Sequence, residues 1–216
     1  MSPPPPASWP IGFGATCLRA TLYILLVGAL AQGVYLEALH FPADRFSERG
    51  LTELAQTALL AIASILLLYV MLALRELRLV ALLLFGLLAA SLIREQDVHL
   101  DTHVFDGAWQ LLVSLTLLPI LFVVIRNRRA FVAEFAAYAN SLSFGLFAAG
   151  FLTTYVFSRL YGRGDFWQAI LQENYLRDFK SAAEEVVELF GYALLLIAVI
   201  ELVLLARRWA LARRAS

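Results

Sequence analysis

Six long apolar stretches restrict what this chain can fold into more than any other feature. They run over about residues 20–39, 51–74, 77–93, 107–126, 139–161 and 185–206. Each is near the ~20 residues with which a helix crosses the ~30 Å hydrocarbon core of a bilayer. Lipid offers no partner to backbone N–H and C=O groups, so such stretches form helices, whose bonds are internal. The third is short and reaches full length through Arg94 if that side chain snorkels to the interface. Composition agrees: 61% of residues are hydrophobic and 16% charged, against roughly 45–50% and 25% in soluble domains. Mean hydropathy is +0.76. The expected fold is all-α, an integral membrane bundle of six transmembrane helices over residues 20–206. A Pro-rich tail (1–19) precedes it and a basic tail (207–216) follows.

The tail opens with Pro3 to Pro6, then Trp9 and Pro10. Such a run cannot be helical. Ala29-Leu30-Ala31 looks like a signal-peptidase site, but the preceding region carries one Arg and several prolines, and the apolar run continues past it. A retained first helix is therefore expected. Cys17 is the single cysteine, which excludes an internal disulfide framework and a cysteine zinc cluster. Lys180 is the only lysine among 17 basic residues, a bias that fits a GC-rich bacterial genome. Pro119 is expected to kink the fourth helix. Gly86, Ala90, Gly145, Ala149 and Gly150 suit close helix packing. The four tryptophans, Trp9, Trp109, Trp167 and Trp209, fall near apolar ends and suit interfacial anchoring.

Orientation follows from Lys and Arg placement. One set of ends holds Arg19, Arg75, Arg78, Arg126, Arg128, Arg129, Arg207, Arg208, Arg213 and Arg214. The other holds Arg45, Arg49, Arg94, Arg159, Arg163, Arg177 and Lys180. The first set is larger and lies in short loops, which makes it cytoplasmic and puts both termini inside. Most acids fall at the opposite, outer ends. The expected location is a bacterial inner membrane.

The outer ends also gather the polar residues without a routine explanation. The stretch Arg94 to Gln110 joins two apolar runs and carries Arg94, Glu95, Asp97, His99, Asp101, His103, Asp106 and Gln110. The first helix offers Gln32, Glu37 and His40, the second Glu48, Glu53 and Gln56, and the fifth Tyr155, Ser158 and Arg159. The sixth enters with Lys180, Glu184, Glu185 and Glu188, followed by Tyr192. Glu53, Gln56 and Glu188 lie inside apolar runs, where a charge is costly unless paired or hydrated. Glu184, Glu188 and Tyr192 share a helix face. Carboxylates this close repel unless a cation compensates. Arg94, Arg159, Lys180 or a metal would serve. An outer-leaflet salt-bridge cluster that fixes packing accounts for the same residues.

His99 and His103 are four apart, and in a helix they share a face with Glu95, Asp106 and Gln110. An i, i+4 imidazole pair can chelate a divalent metal such as Zn²⁺, with a carboxylate as further ligand. His40, the remaining histidine, joins them on topological grounds. The metal candidates are thus His40, His99, His103 and Asp106. The plainer reading makes the histidines solvated and Asp106 the cap of the helix beginning near Gly107. The segment Gly162 to Phe179 is amphipathic and suits a lid or interfacial helix on the outer surface.

Several pieces resemble a family of uncharacterised bacterial multi-pass inner-membrane proteins. They are Glu48 to Gln56, Arg94-Glu95-Gln96-Asp97, Asp106-Gly107-Ala108-Trp109-Gln110, Phe157-Ser158-Arg159-Leu160, and Lys180 with Glu184, Glu185, Glu188, Gly191 and Tyr192. That resemblance implies an inner-membrane location and no particular chemistry. The chain is more loosely similar to the ceramidase and progestin-receptor-like superfamily of seven-helix metal hydrolases, which also joins an H-x-x-x-H pair to another His and acids at one membrane face. It departs from that pattern in having six expected helices and its histidine pair in a middle loop. The superfamily's helix-embedded serine has no clear equivalent.

Two functions follow. In the first, the outer polar cluster binds an ion, a lipid headgroup or a partner without chemistry. In the second, a bound metal activates water for hydrolysis of a lipid or periplasmic substrate, with Glu53 or Glu188 as base. The bilayer itself is the expected partner. A transporter is disfavoured, since no inverted repeat with paired broken helices is visible. No phosphate loop, nucleotide fingerprint or serine elbow occurs, and nothing points to nucleic acid.

Overall fold

The computed structural model describes residues 11–40 and 50–215. The proline run, Trp9, Pro10, Arg45, Glu48 and Arg49 lie outside the described residues. Those that are described form helices and connecting turns, with no strand among them. In chain order the helices are α1 (Phe13–His40), α2 (Leu51–Tyr69), α3 (Arg78–Arg94), α4 (Asp97–His103), α5 (Ala108–Arg126), α6 (Arg128–Ala139), α7 (Leu142–Phe151), α8 (Ser158–Tyr161), α9 (Gly164–Leu171) and α10 (Arg177–Ala215). A π-helical segment, Val70–Leu74, extends α2, and another, Leu152–Phe157, joins α7 to α8.

Among the described residues four helices are long and apolar enough to cross a membrane: Phe13–His40, Leu51–Leu74, Ala108–Arg126 and Arg177–Arg214. The number rises to six if each of two bent pairs counts as one span. In the first pair α3 and α4 meet at 60°, and in the second α6 meets the Leu142–Tyr161 helix at 95°. The second bend has a local cause. Asn140 turns its side-chain amide back onto Ala136 O and closes α6. Ser141 then caps α7, its hydroxyl accepting a bond from Phe144 N at 3.2 Å. Asn and Ser favour such positions because their short polar side chains replace missing helical partners.

Among the described residues α6 is not expected from the sequence as a separate element, and α1 and α10 begin ahead of the apolar runs, at Phe13 and Arg177, so residues 13–19 of the expected tail are helical. The basic loop after the fourth apolar run is largely helical, as α6. The amphipathic Gly162 to Phe179 segment forms α9, a short 3₁₀ turn and the start of α10. That last helix begins at Arg177 and has 39 residues, about 58 Å at 1.5 Å per residue. It is far longer than a hydrocarbon core, so its polar ends extend beyond the apolar stretch. Pro119 lies inside α5, which continues through it as one helix.

The chain divides into two compact units. One comprises Leu60–Gly145 and Ala198–Ser216, and the other Pro10–Leu59 and Leu146–Ile197. In the first unit α3 packs on α5 and α6. Its core includes Leu67, Val80, Leu88, Val199 and Leu202. Ser143 donates to Ala198 O at 2.7 Å. Arg213 near the chain end lies 3.1 Å from the buried Glu76. Two helix starts in this unit are capped by carboxylates from elsewhere. Glu134 of α6 accepts bonds from Leu79 N and Val80 N at 2.7 and 3.2 Å. Asp101 of α4 accepts from Gly107 N and Ala108 N, both at 3.1 Å. The first N–H groups of a helix have no intrahelical acceptor, and the helix dipole favours negative charge there.

In the second unit the core includes Leu59, Phe147, Trp167, Leu189, Tyr192 and Leu195. Here α7 and α10 touch through glycine. A Cβ on Gly150 would stand 3.0 Å from Leu195 N and 3.1 Å from Gly191 O, so only the absence of a side chain permits this approach.

Candidate functional site

The second unit draws four helix ends together. Glu37 comes from the last turn of α1, Thr52 and Gln56 from the start of α2, Ser158 and Arg159 from α8, and Lys180 to Glu188 from the start of α10. Glu37 is fully buried. Its Oε2 accepts bonds from Thr52 N at 2.7 Å and Thr52 Oγ1 at 2.6 Å. A carboxylate on one helix thereby caps the next, the device also used by Glu134 and Asp101.

One turn further along α2 is Gln56, also fully buried. Its Nε2 donates to Glu185 Oε2 at 2.9 Å and to Glu185 O at 3.1 Å. A backbone carbonyl can only accept, so the amide must keep its nitrogen toward α10. Gln56 Oε1 then points away and has no hydrogen-bond partner among the described residues. Such a buried carbonyl costs about 1–3 kcal/mol unless a donor reaches it.

The other half of the cluster is ionic. Arg159 reaches two carboxylates, with Nη1 3.0 Å from Glu184 Oε1 and Nη2 2.8 Å from Glu188 Oε1. Lys180 Nζ lies 2.6 Å from Glu184 Oε2 one helical turn away. Ser158 donates to Thr154 O, and its Oγ is 3.3 Å from Glu188 Oε1. Thr154, in the π-helical segment, is buried, and its Oγ1 has no partner among the described residues. It faces Gly191, where a Cβ would collide with that hydroxyl. Segments of π-helix commonly mark functional positions in helical proteins.

An aromatic group adjoins this cluster. Trp167 of α9 donates from Nε1 to Tyr161 O at 2.8 Å and packs edge-on against Tyr161, Phe166 and Phe179. Gly162, between α8 and α9, lies against the Glu184 carboxyl group, where a Cβ would stand 2.5 Å from its Cδ.

The expected site residues therefore fall into separate local arrangements. Gln56, Arg159, Lys180, Glu184, Glu185 and Glu188 form the second-unit cluster. Glu53 is half-buried in the first turn of α2 beside it. In the first unit, Arg94 pairs with Glu95 at 3.1 Å. Asp97 accepts a bond from Val98 N at 2.7 Å. Asp101 supplies the cap expected from Asp106, which is exposed instead; Gly107 occupies the cap position with φ +85°. Gln110 is exposed in the first turn of α5. Neither Thr52 nor Thr154 stood out in the sequence, because a threonine in an apolar run is common and carries no charge.

The histidines do not assemble a metal donor set. His99 and His103 share a helix face, with rings stacked at 6.1 Å between centroids. His103 Nδ1 is 2.9 Å from His99 O, and His40 Nδ1 is 3.1 Å from Leu36 O. A carbonyl acceptor requires the proton on Nδ1, which leaves Nε2 as the free lone pair. Among the described residues no group of three or more His, Cys, Asp or Glu side chains is placed to hold a metal ion. No protein-family model, curated protein or solved structure matches this chain.

Proposed function

We propose that the chain is a six-span protein of a bacterial inner membrane, with both termini cytoplasmic. On this reading the polar cluster of the second unit is a binding site, at the periplasmic helix ends, for a small cation or an ammonium-bearing lipid headgroup. The observation that carries it is the buried Gln56 Oε1, an acceptor without a donor on a side chain already anchored to Glu185. An acceptor of this kind suits a cation or an N–H donor. Nearby Glu188 is buried while its counter-charge Arg159 is half exposed, so a ligand cation would compete with a partly hydrated guanidinium. A charge inside a membrane protein is costly and tends to mark function.

Two measurements test the reading. Reporter fusions at Arg128 and Ser216 should both report cytoplasm, and a periplasmic signal at either position refutes the topology. Purified protein in neutral detergent should gain thermal stability from sodium, potassium, magnesium, ethanolamine or choline salts tested singly. Gln56→Leu should lose the gain. If none of these cations stabilises the wild type beyond an ionic-strength control, the binding site is refuted.

A further inference from the structure

The strongest unassigned feature is a basic concavity in the first unit, where α5 ends and α6 begins. It encloses about 420 Å³ and is lined by Arg126, Asn127, Arg128, Arg129 and Ala130. The three arginines are exposed, and none makes an ion pair or side-chain hydrogen bond with the described residues. Local sequence explains why. Between Asp106 and Asp165 the only acid is Glu134, and its Oε2 accepts the bonds of Leu79 N and Val80 N. Asn127 turns its amide onto Val123 O at 2.8 Å, so it does not cap α6 either.

α5 is apolar and long enough to cross a membrane, and it ends at Arg126. α6 has 12 residues, about 18 Å at the helical rise, too short to cross alone, and it meets the Leu142–Tyr161 helix at 95°. It leaves Val132 and Phe135 exposed. A short helix with exposed apolar residues and arginines at its start suits the membrane–water boundary. The concavity then lies at headgroup depth, where basic pockets beside helix ends hold acidic lipids.

We propose that this concavity binds the phosphate of an acidic phospholipid headgroup, held by Arg126, Arg128 and Arg129. A guanidinium presents paired N–H donors that match phosphate oxygens. The lipid is favoured over soluble phosphate because the exposed apolar side of α6 gives acyl chains a surface beside the headgroup.

The test uses the full chain in neutral detergent, with phosphatidylglycerol added in mixed micelles and binding followed by native mass spectrometry and thermal shift. Wild type should bind it in preference to phosphatidylcholine. The triple variant R126Q/R128Q/R129Q should bind about 100-fold more weakly, each guanidinium contributing roughly a factor of five. Arg128→Gln alone should lose about that single factor, which keeps the test valid if the triple variant folds poorly. Equal affinity of wild type and triple variant overturns the proposal. So does displacement of the lipid by inorganic phosphate at equal concentration, which would make the concavity a soluble-anion site.

Discussion

Arg159 Nη2 stands 2.8 Å from Glu188 Oε1, yet the two side chains occupy different surroundings, 44% exposed for the arginine and 4% for the glutamate. The pair is therefore a buried charge with a partly hydrated counter-charge. Removing the arginine takes away the guanidinium that faces a buried carboxylate. Removing both charges removes the problem as well as the bond.

That asymmetry predicts a double-mutant cycle. Arg159→Leu should destabilise the protein by about 1–3 kcal/mol, below the full cost of breaking a buried pair because Arg159 is partly hydrated. Arg159→Leu with Glu188→Leu should recover at least half of that loss. Glu173→Leu, at an exposed position in the 3₁₀ turn, should change stability by less than ~0.5 kcal/mol. Thermal unfolding in detergent, with Glu188→Leu alone included to close the cycle, measures all five proteins. Additive effects of the two charge removals would show that the pair is not coupled.

The Thr154–Gly191 contact gives a second prediction. Gly191→Ala forces a methyl group into Thr154 and should cost about 1–3 kcal/mol, as overpacking generally does. Thr154→Ala removes a buried hydroxyl that has no partner among the described residues, so it should be neutral or mildly stabilising. Combining the two should recover part of the Gly191→Ala loss and leave the rest, because Thr154 Cβ and N also lie 3.1 Å from the added Cβ position. A strongly destabilised Thr154→Ala protein would mean that the hydroxyl has a bonding role.

Glu37 provides a third. Its carboxylate satisfies both Thr52 N and Thr52 Oγ1. Glu37→Ala should cost about 2–4 kcal/mol, since two buried donors lose their acceptor. Glu37→Gln keeps an oxygen in place and should cost less than half as much. Comparable losses from both substitutions would argue that the charge, not the cap, is what matters at this position.

Much of the helical character was legible in the sequence, because apolar length and backbone satisfaction in lipid leave few alternatives. The apolar runs mark where α2, α3 and α5 lie, but α6 and the starts of α1 and α10 lie outside them. α6 and the start of α10 are polar enough to resemble loops, and their helicity depends on packing and on helix ends such as the one Asn140 closes on α6. Within the site, depth in apolar runs singles out Glu53, Gln56 and Glu188; Gln56 and Glu188 are buried, and Glu53 is half-buried. The pairing of Arg159 with Glu184 and Glu188 depends on contacts between distant segments, which spacing does not encode. Asp101 and Asp106 show the same limit on a small scale. Both acids precede α5, and only the fold of α4 decides that Asp101 reaches its first N–H groups.

The last prediction concerns pH and Glu134, at the junction of α6 with the start of α3. Burial pushes its carboxyl above the ordinary glutamate value, and the negative charge of Glu76 adds to that rise. The backbone N–H groups of Val80 and Leu79 and the charge of Arg78 act in the opposite sense and do not cancel it. A raised value means that the folded protein holds this proton more tightly than the unfolded chain. The resulting stability is fully present below the unfolded glutamate range near ~4.3 and is lost as pH rises through the folded value. Glu134→Gln is neutral at every pH and retains an oxygen for Leu79 N and Val80 N. Its stability relative to wild type should therefore increase as pH rises from that range toward neutrality. Glu134→Leu loses the acceptor and should be less stable than the Gln variant at every pH. Thermal unfolding of the three proteins at pH 4.5, 5.5, 6.5 and 7.5, about one unit apart across the window that a raised carboxyl would titrate in, separates these outcomes. A wild-type and Gln-variant difference that stays constant across the series would mean that the Glu134 carboxyl is not perturbed, and that its capping role stands without any coupling to pH.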